Sequence, residues 1–266
     1  MQQMTMSRED EAKDIGVGLD RQLGYVLEPG CRQALVEFLM TLRSWNHVHN
    51  LTAIRDLQEQ VRRHLVEPVL TFRHFPRDPI DNASPDHPLR IMDVGSGAGV
   101  PAIPWAIMGG PLLHITLVEK VGKKAAFLRR VVHQLELDSR VAVIEDDVRR
   151  VQSDMPYQIV SSRAFASLGD FINWTQHLLI PKGMWLYLAG QLHRVTGLSK
   201  DHYVHTDPLV GVRLSRITPV YMPGQEASHL VWLSKEGIAC SRWFSPLQIK
   251  RAVSVRPRPQ STLPPH

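Results

Sequence analysis

The chain is short of several things, and each shortage removes a class of protein. Only 2 of its 266 residues are cysteine, Cys31 and Cys240, far apart and outside every motif. That spacing excludes a disulfide framework or a cysteine-built zinc cluster and leaves both as ordinary buried thiols. The 13 histidines show no ligand spacing, so no metal is expected, because a metal site needs three or four convergent ligands. No apolar run approaches the roughly 20 residues that cross a bilayer, and the N-terminal residues have no apolar targeting core. The expectation is a soluble, cytoplasmic protein that does not engage a membrane. Acidic residues stop at Glu236. Beyond it Arg242, Lys250, Arg251, Arg256 and Arg258 account for the whole net charge of +5, so the rest of the chain is balanced. The basicity therefore marks a flexible, Pro-containing tail over 237–266. That tail either adds salt-dependent attraction to phosphates or is a solvated terminus.

What the chain does have is apolar periodicity. With 43% hydrophobic residues it can bury a substantial core. Residues 1–27 lack a clear period and read as a flexible N-terminus with at most a short amphipathic turn. From Arg32 to Trp45, Leu35, Phe38, Leu39, Leu42 and Trp45 recur at helical spacing. A second helical segment runs from Leu57 to Phe72, disturbed by Pro68. Together these define a helical lobe over 28–75, followed by a polar, proline-bearing linker over 76–88. Strand and helix patterns then alternate over 89–236. Strands are expected near 89–94, 113–119, 141–144, 158–162, 184–188, 211–218 and 229–234. Alternation of this kind predicts an α/β fold, a doubly wound, mainly parallel seven-stranded sheet. Ligands of such sheets sit at the carboxyl ends of the strands, where the strand order reverses.

The first of those ends carries the most information. Asp93-Val-Gly-Ser-Gly-Ala-Gly-Val-Pro101 places Gly95, Gly97 and Gly99 in alternation between an apolar strand and a helix start. Glycine lets such a loop turn tightly and lets a ligand touch its backbone. The spacing fits neither the G-x-G-x-x-G dinucleotide fingerprint nor a P-loop, which argues against an NAD-dependent dehydrogenase. A ligand with an adenosine-like body and no pyrophosphate remains, and S-adenosylmethionine is such a ligand. The second strand ends in Glu119, twenty residues after Gly99, where a carboxylate can accept from both ribose hydroxyls. Taken alone, the glycine turn could be an ordinary connection and Glu119 a solvated strand end. Their spacing is what argues for a cofactor.

Three blocks carry a resemblance. Trp45-Asn-His-Val-His-Asn-Leu-Thr52 followed by Arg55-Asp56, the glycine loop with Val100-Pro101, and Ser162-Arg-Ala-Phe-Ala-Ser-Leu168 resemble the signature blocks of the bacterial RsmG (GidB) family. They span about residues 30–235 in the same order. The resemblance implies a Rossmann-like, S-adenosylmethionine-dependent methyltransferase with an N-terminal helical extension. It would methylate N7 of a guanine in 16S ribosomal RNA, with that RNA or the small ribosomal subunit as partner and a monomer favoured. Carried over by position, Asp93, Gly95, Gly97, Gly99 and Val100 form the cofactor loop, and Glu119 is the ribose acid in place of a usual aspartate. Asp147, Val148 and Arg149 lie on the adenine side. Arg163 borders both cofactor and target base as the catalytic residue, and Lys123, Lys124 and Arg129 suit an RNA backbone.

Plain alternatives stand beside these roles. Val148 suits a core position under any function, and Lys123 and Lys124 suit the solvated face of a helix that buries Phe127, Leu128, Val131 and Leu135. Asn46 and Asn50, one helical turn apart, read as a capping or interhelix network. An arginine at a strand end, such as Arg163, calls for a ligand or an acidic partner. Three departures from the family pattern stand out: His64-Leu-Val-Glu67-Pro68 for H-x-x-D-S, Tyr157-Gln158 for Phe-Asp, and Ala189-Gly190-Gln191 for a Lys-Gly pair. Gln158 and Ala189 motivate a rival reading, a methyltransferase-like RNA-binding or assembly module without turnover.

Overall fold

Seven strands, β1 (Leu89–Val94), β2 (Leu113–Val118), β3 (Val141–Ile144), β4 (Tyr157–Arg163), β5 (Leu179–Ala189), β6 (Val212–Val220) and β7 (Ser228–Lys235), lie in one sheet in the order β3-β2-β1-β4-β5-β7-β6. The computed structural model describes residues 7–163, 166–190, 212–222 and 224–235. β1 through β5 pair in parallel, and β7 runs antiparallel to both β5 and β6. The sheet is thus mainly parallel and doubly wound, with its order reversing at β1, whose neighbours are β2 and β4. β5 starts earlier than apolar periodicity suggests. Its pairing jumps from Tyr157↔Leu179 to Ile159↔Met184, so the chain through Pro181 is displaced from the ladder, as suits a residue with no N–H to donate.

Alternation along the strands divides the core. Ile91, Ile115, Leu117 and Ile159 join one apolar cluster, which also takes in the buried faces of α1 (Arg8–Leu23), α2 (Pro29–His49), α6 (Ala102–Gly109) and α7 (Gly122–Gln134). Met92, Val94, Val118 and Val160 join the other, beneath α8 (Leu168–Thr175). The helix after β1 is apolar almost all round and buried except at Ile107, which is half-buried. Its Trp105 stacks edge-on to Phe75 at 4.8 Å and donates from Nε1 to Pro68 O at 3.2 Å and Thr71 Oγ1 at 3.1 Å. The indole thereby fastens the helical lobe to the sheet.

The N-terminal region corrects the sequence reading. Residues 8–23 form a full helix rather than a frayed arm. Ser7 caps it by accepting from Asp10 N, acidic Glu9, Asp10 and Glu11 fill its first turn, and Gly24 closes it in the left-handed conformation. Ile15 and Leu19, four residues apart, are completely buried. The period is hard to see because Gly16 and Gly18 occupy the same buried face. A Cβ on Gly16 would lie 2.3 Å from the Arg32 guanidinium, which would have to swing aside from the pairing it makes with Asp20 at 2.9 Å.

The segment Leu57–Phe72 is one continuous run with a wide turn inside it: α3 (Leu57–Val61), a π turn over Arg62–Val66, and α4 (Glu67–Phe72). Pro68 cannot donate the bond that an α-helix would make to residue 64. The Glu67 N–H instead reaches back five residues to Arg62 O. The expected linker carries a short helix, α5, over Arg77–Asp81. The tail lies outside the described residues. Asn46 and Asn50 form a local network, as expected: Asn46 Oδ1 accepts from Thr52 N at 2.9 Å, and Asn50 ends α2 at φ 48° while accepting from Arg55.

If α1 is part of the core, Leu19→Ala lowers the unfolding free energy by about 2–5 kcal/mol, the cost of a buried Leu truncation. Urea denaturation reads this directly. A change within about 0.5 kcal/mol, as for a surface substitution, would restore the frayed-arm picture.

Candidate cofactor and substrate site

β1 ends at Val94, and the chain turns through three residues with positive φ: Gly95 at 71°, Gly97 at 55° and Gly99 at 76°. At Gly99 a side chain would also collide, since a Cβ would sit 2.7 Å from Ile103 and 3.0 Å from Leu128. The alternation of glycines thus follows from backbone conformation at Gly95 and Gly97, and from both conformation and packing at Gly99. The turn is fastened to β2. Gly95 N and Ser96 N donate to Val118 O, Gly97 N donates to Glu119 Oε2 at 2.9 Å, and Val121 N donates to Glu119 Oε1 at 2.8 Å. Glu119 is 5% exposed.

A cleft of about 220 Å³ opens here, at the carboxyl ends of β1, β2 and β3, lined by Gly95, Glu119, Lys120, Lys124, Asp147 and Val148 among others. Three acids, Glu119, Asp146 and Asp147, face two lysines across it, a poor balance for a pyrophosphate. Asp147 caps the short 3-10 turn that holds buried Val148, accepting from Arg149 N at 3.1 Å. The Arg149 guanidinium grips the same carboxylate at 2.8 and 2.6 Å and lies 5.2 Å from the Trp174 ring. That grip holds the Asp147 carboxyl well below the usual carboxylate range.

Beneath the cleft, Asp93 is 2% exposed and accepts from Ser161 Oγ at 2.8 Å. Burial pushes its carboxyl up to about 7, against the hydrogen bonds of Ser161 and Ser96 and the charge of Arg163. Arg163 ends β4 on the lobe side. Its Nη2 donates to Glu67 Oε2 at 3.0 Å and its Nη1 to Arg63 O at 3.4 Å.

A family model described as rRNA small subunit methyltransferase G (GidB) matches residues 31–208. This chain belongs to that family. Curated relatives carry the name ribosomal RNA small subunit methyltransferase G. The one from Pseudomonas entomophila is 38% identical over 206 residues, which cover 76% of this chain and 88% of that protein. The one from Methylobacillus flagellatus is 33% identical over 214 residues, covering 80% and 93%. The fold is that of a Rossmann-like methyltransferase.

For this GidB member the structure sorts the residues picked out by sequence. Gly95, Glu119, Asp147 and Val148 meet at the cleft. Gly97 is bound to Glu119, and Arg149 stands behind Asp147. Val100 is 8% exposed and packs in the apolar core instead of lining the cleft. Lys124 lines the cleft, whereas Lys123 is exposed on α7. Arg129 pairs with Glu145 at 2.8 Å, an exposed bridge worth about 1 kcal/mol or less, so a phosphate can compete for it. Gln158 Oε1 accepts from Arg90 N at 3.0 Å, so that departure from the family pattern serves the β1–β4 seam. Gln191 lies outside the described residues.

Sequence reasoning passed over Lys120 and Val121, which follow a strand already marked, and took in Ser161 only as part of the end of the fourth strand. It marked His64 and Glu67 as a departure from the family pattern and asked for an acidic partner to Arg163, but it did not join the two or bring in Arg63. Cys31 is half-buried, and burial pushes its thiol up to about 12. Among the described residues no cluster of histidine, cysteine, aspartate or glutamate could hold a metal, and no helix is long and apolar enough to cross a membrane.

The raised Asp93 value has a thermodynamic consequence. A carboxyl whose folded value lies above its unfolded 3.8 favours folding while it is protonated, and that contribution is lost as pH rises through about 7. Wild type is therefore expected to lose stability relative to Asp93→Asn between about pH 5 and about pH 8. Paired urea titrations across that range test this, and a constant difference contradicts it.

Proposed function

We propose that this protein transfers a methyl group from S-adenosylmethionine to N7 of a guanine in 16S ribosomal RNA, acting in the cytoplasm. The observation that carries the reading is the Glu119 carboxylate at the mouth of the glycine turn. It is fixed by two backbone N–H groups in a cleft with no phosphate cradle, in a chain of the small-subunit rRNA methyltransferase G family.

When bound, S-adenosylmethionine supplies a methyl group on a sulfonium, ready for displacement. The protein's part is placement. Of the roughly four acceptor positions of the Glu119 carboxylate, two are used on Gly97 and Val121, and the others are available to ribose hydroxyls. Val148 offers an apolar wall for the adenine, and Arg149, held by Asp147 and Trp174, borders it. Gly95 lets the methionine end approach the backbone. Arg163 stands at the next strand end, between the cleft and the lobe, where it can hold the incoming base.

No general base is required, because guanine N7 carries a lone pair and no proton. The positive charge of the donor passes to the methylated purine, so no new charge has to be neutralised. Holding the purine in line with the S–CH₃ bond and excluding water is the remaining task. Orientation of this kind is worth on the order of 7–11 kcal/mol at best. Lys123, Lys124 and Arg129 on α7 face the RNA backbone in this reading, and their number sets the salt dependence of binding.

Three experiments test the proposal. Glu119→Gln weakens S-adenosylmethionine binding about 10- to 100-fold in calorimetry, the loss of a charged hydrogen-bond acceptor costing about 1.5–3 kcal/mol. Undiminished affinity would remove Glu119 from the cofactor site. Arg163→Ala lowers single-turnover methyl transfer more than Arg256→Ala in the tail, whereas equal rates would strip Arg163 of its role. Mass mapping of 16S rRNA from cells lacking the protein identifies the guanine that loses its methyl group, and an unchanged map would sink the substrate.

A further inference from the structure

Arg163 is held by the helical lobe. Both of its hydrogen bonds to described residues go to the segment Leu57–Phe72, one to the Glu67 carboxylate and one to the Arg63 carbonyl. The Glu67 side chain is 6% exposed and that of Arg163 29%. The same carboxylate lies 3.6 Å from the Arg63 guanidinium, whose nitrogens reach Gln225 Oε1 at 3.2 Å and Ser228 Oγ at 3.4 Å. One buried acid therefore joins the lobe, the end of β4 and the start of β7.

His64 lies in the same cluster and does not compete for that acid. Its ring is 5% exposed, and neither ring nitrogen has a hydrogen-bond partner among the described residues. Burial and the charges of Arg163 and Arg63 push it down to about 3, so it is neutral at physiological pH. Arg163 and Arg63 are thus the cations bonded or paired to Glu67 among the described residues.

Stability is a weak reason for such an arrangement. Desolvating a carboxylate and a guanidinium costs about as much as their pairing returns. What the bridge does supply is geometry: a bonded guanidinium gives up rotamers that a free side chain would explore. The π turn is the local device that makes this possible, because its extra residue, forced by Pro68, sets where Glu67 faces.

We infer that Glu67 is a positioning residue for methyl transfer, acting through Arg163: it fixes the guanidinium at the end of β4 for the incoming RNA base without itself touching the cofactor. The inference rests on the proposed methyl transfer. Its consequence is that the lobe controls how the acceptor is presented, while the cofactor cleft is independent of it.

A double-mutant cycle on the full-length protein tests this, with S-adenosylmethionine and small ribosomal subunits lacking the methyl group. Glu67→Gln is expected to slow single-turnover transfer about 10-fold, to leave cofactor affinity within about twofold, and to add less than about twofold in the Arg163→Ala background. Glu67→Asp keeps the charge and recovers part of the rate. Equal losses from Glu67→Gln in both backgrounds overturn the inference, and so does a wild-type rate in the single variant. Should Glu67→Gln fail to fold, the cycle is run with Glu67→Asp, whose loss must likewise vanish without Arg163. A reading independent of turnover is the Arg163 Nε–H resonance in solution. It sharpens or shifts between wild type and Glu67→Gln if the bridge holds the guanidinium, and an identical signal contradicts the idea. A wild type that binds the cofactor and modifies no rRNA would refute the proposed function, a failure separable from an additive cycle.

Discussion

The site depends on one carboxylate. Glu119 accepts from Gly97 N and Val121 N, so a single side chain at the end of β2 closes the glycine turn after β1 and sets the start of α7. Three positive-φ glycines in five residues form a loop with many accessible conformations, and each costs entropy to fix. The charge of the acid pulls two backbone donors onto one point, and Val118 O takes two more from the same turn. The cleft is then walled by main chain whose N–H groups are tied to the end of β2 and to the acid that follows it.

The fold and the residues that line the candidate cleft were largely legible in the sequence, because both follow from local pattern. β1 and β3 fall where alternation places them, and the other strands differ at their ends by a few residues, where Pro181 and the bulge at Gln158 interrupt the ladder. The glycine spacing and the acid at 119 survive translation into geometry because backbone conformation and strand order fix both. What escaped was long-range. Two glycines on the buried stripe hid α1, and a glycine on such a stripe cannot be told from a loop glycine without knowing that Arg32 crosses it. The bridge between Glu67 and Arg163 spans 96 residues of sequence, and neither residue type announces the other. Val100, which family position assigns to the cofactor, also joins the apolar core cluster, a placement that sequence alone does not give.

The two halves of the site are built on different principles. Around Glu119 and Asp147 the polar side chains are bonded to nearby backbone or to a neighbour in sequence. Around Arg163 they are bonded across the molecule to the lobe and, through Arg63, to the β6–β7 pair. Under the proposed function, cofactor placement would then follow from the sheet, and acceptor placement from how the lobe sits on it.

The indole of Trp105 ties these together from the opposite end. Its N–H is shared between the Pro68 carbonyl and the Thr71 hydroxyl, on the same short helix that begins with Glu67. A chimera that set this lobe on another member's sheet without α6 would lose the indole N–H that both the Pro68 carbonyl and the Thr71 hydroxyl accept. The boundary that inheritance can cut is therefore not the stretch between Phe75 and Leu89 but a surface inside the core, and α6 falls on the lobe's side of it.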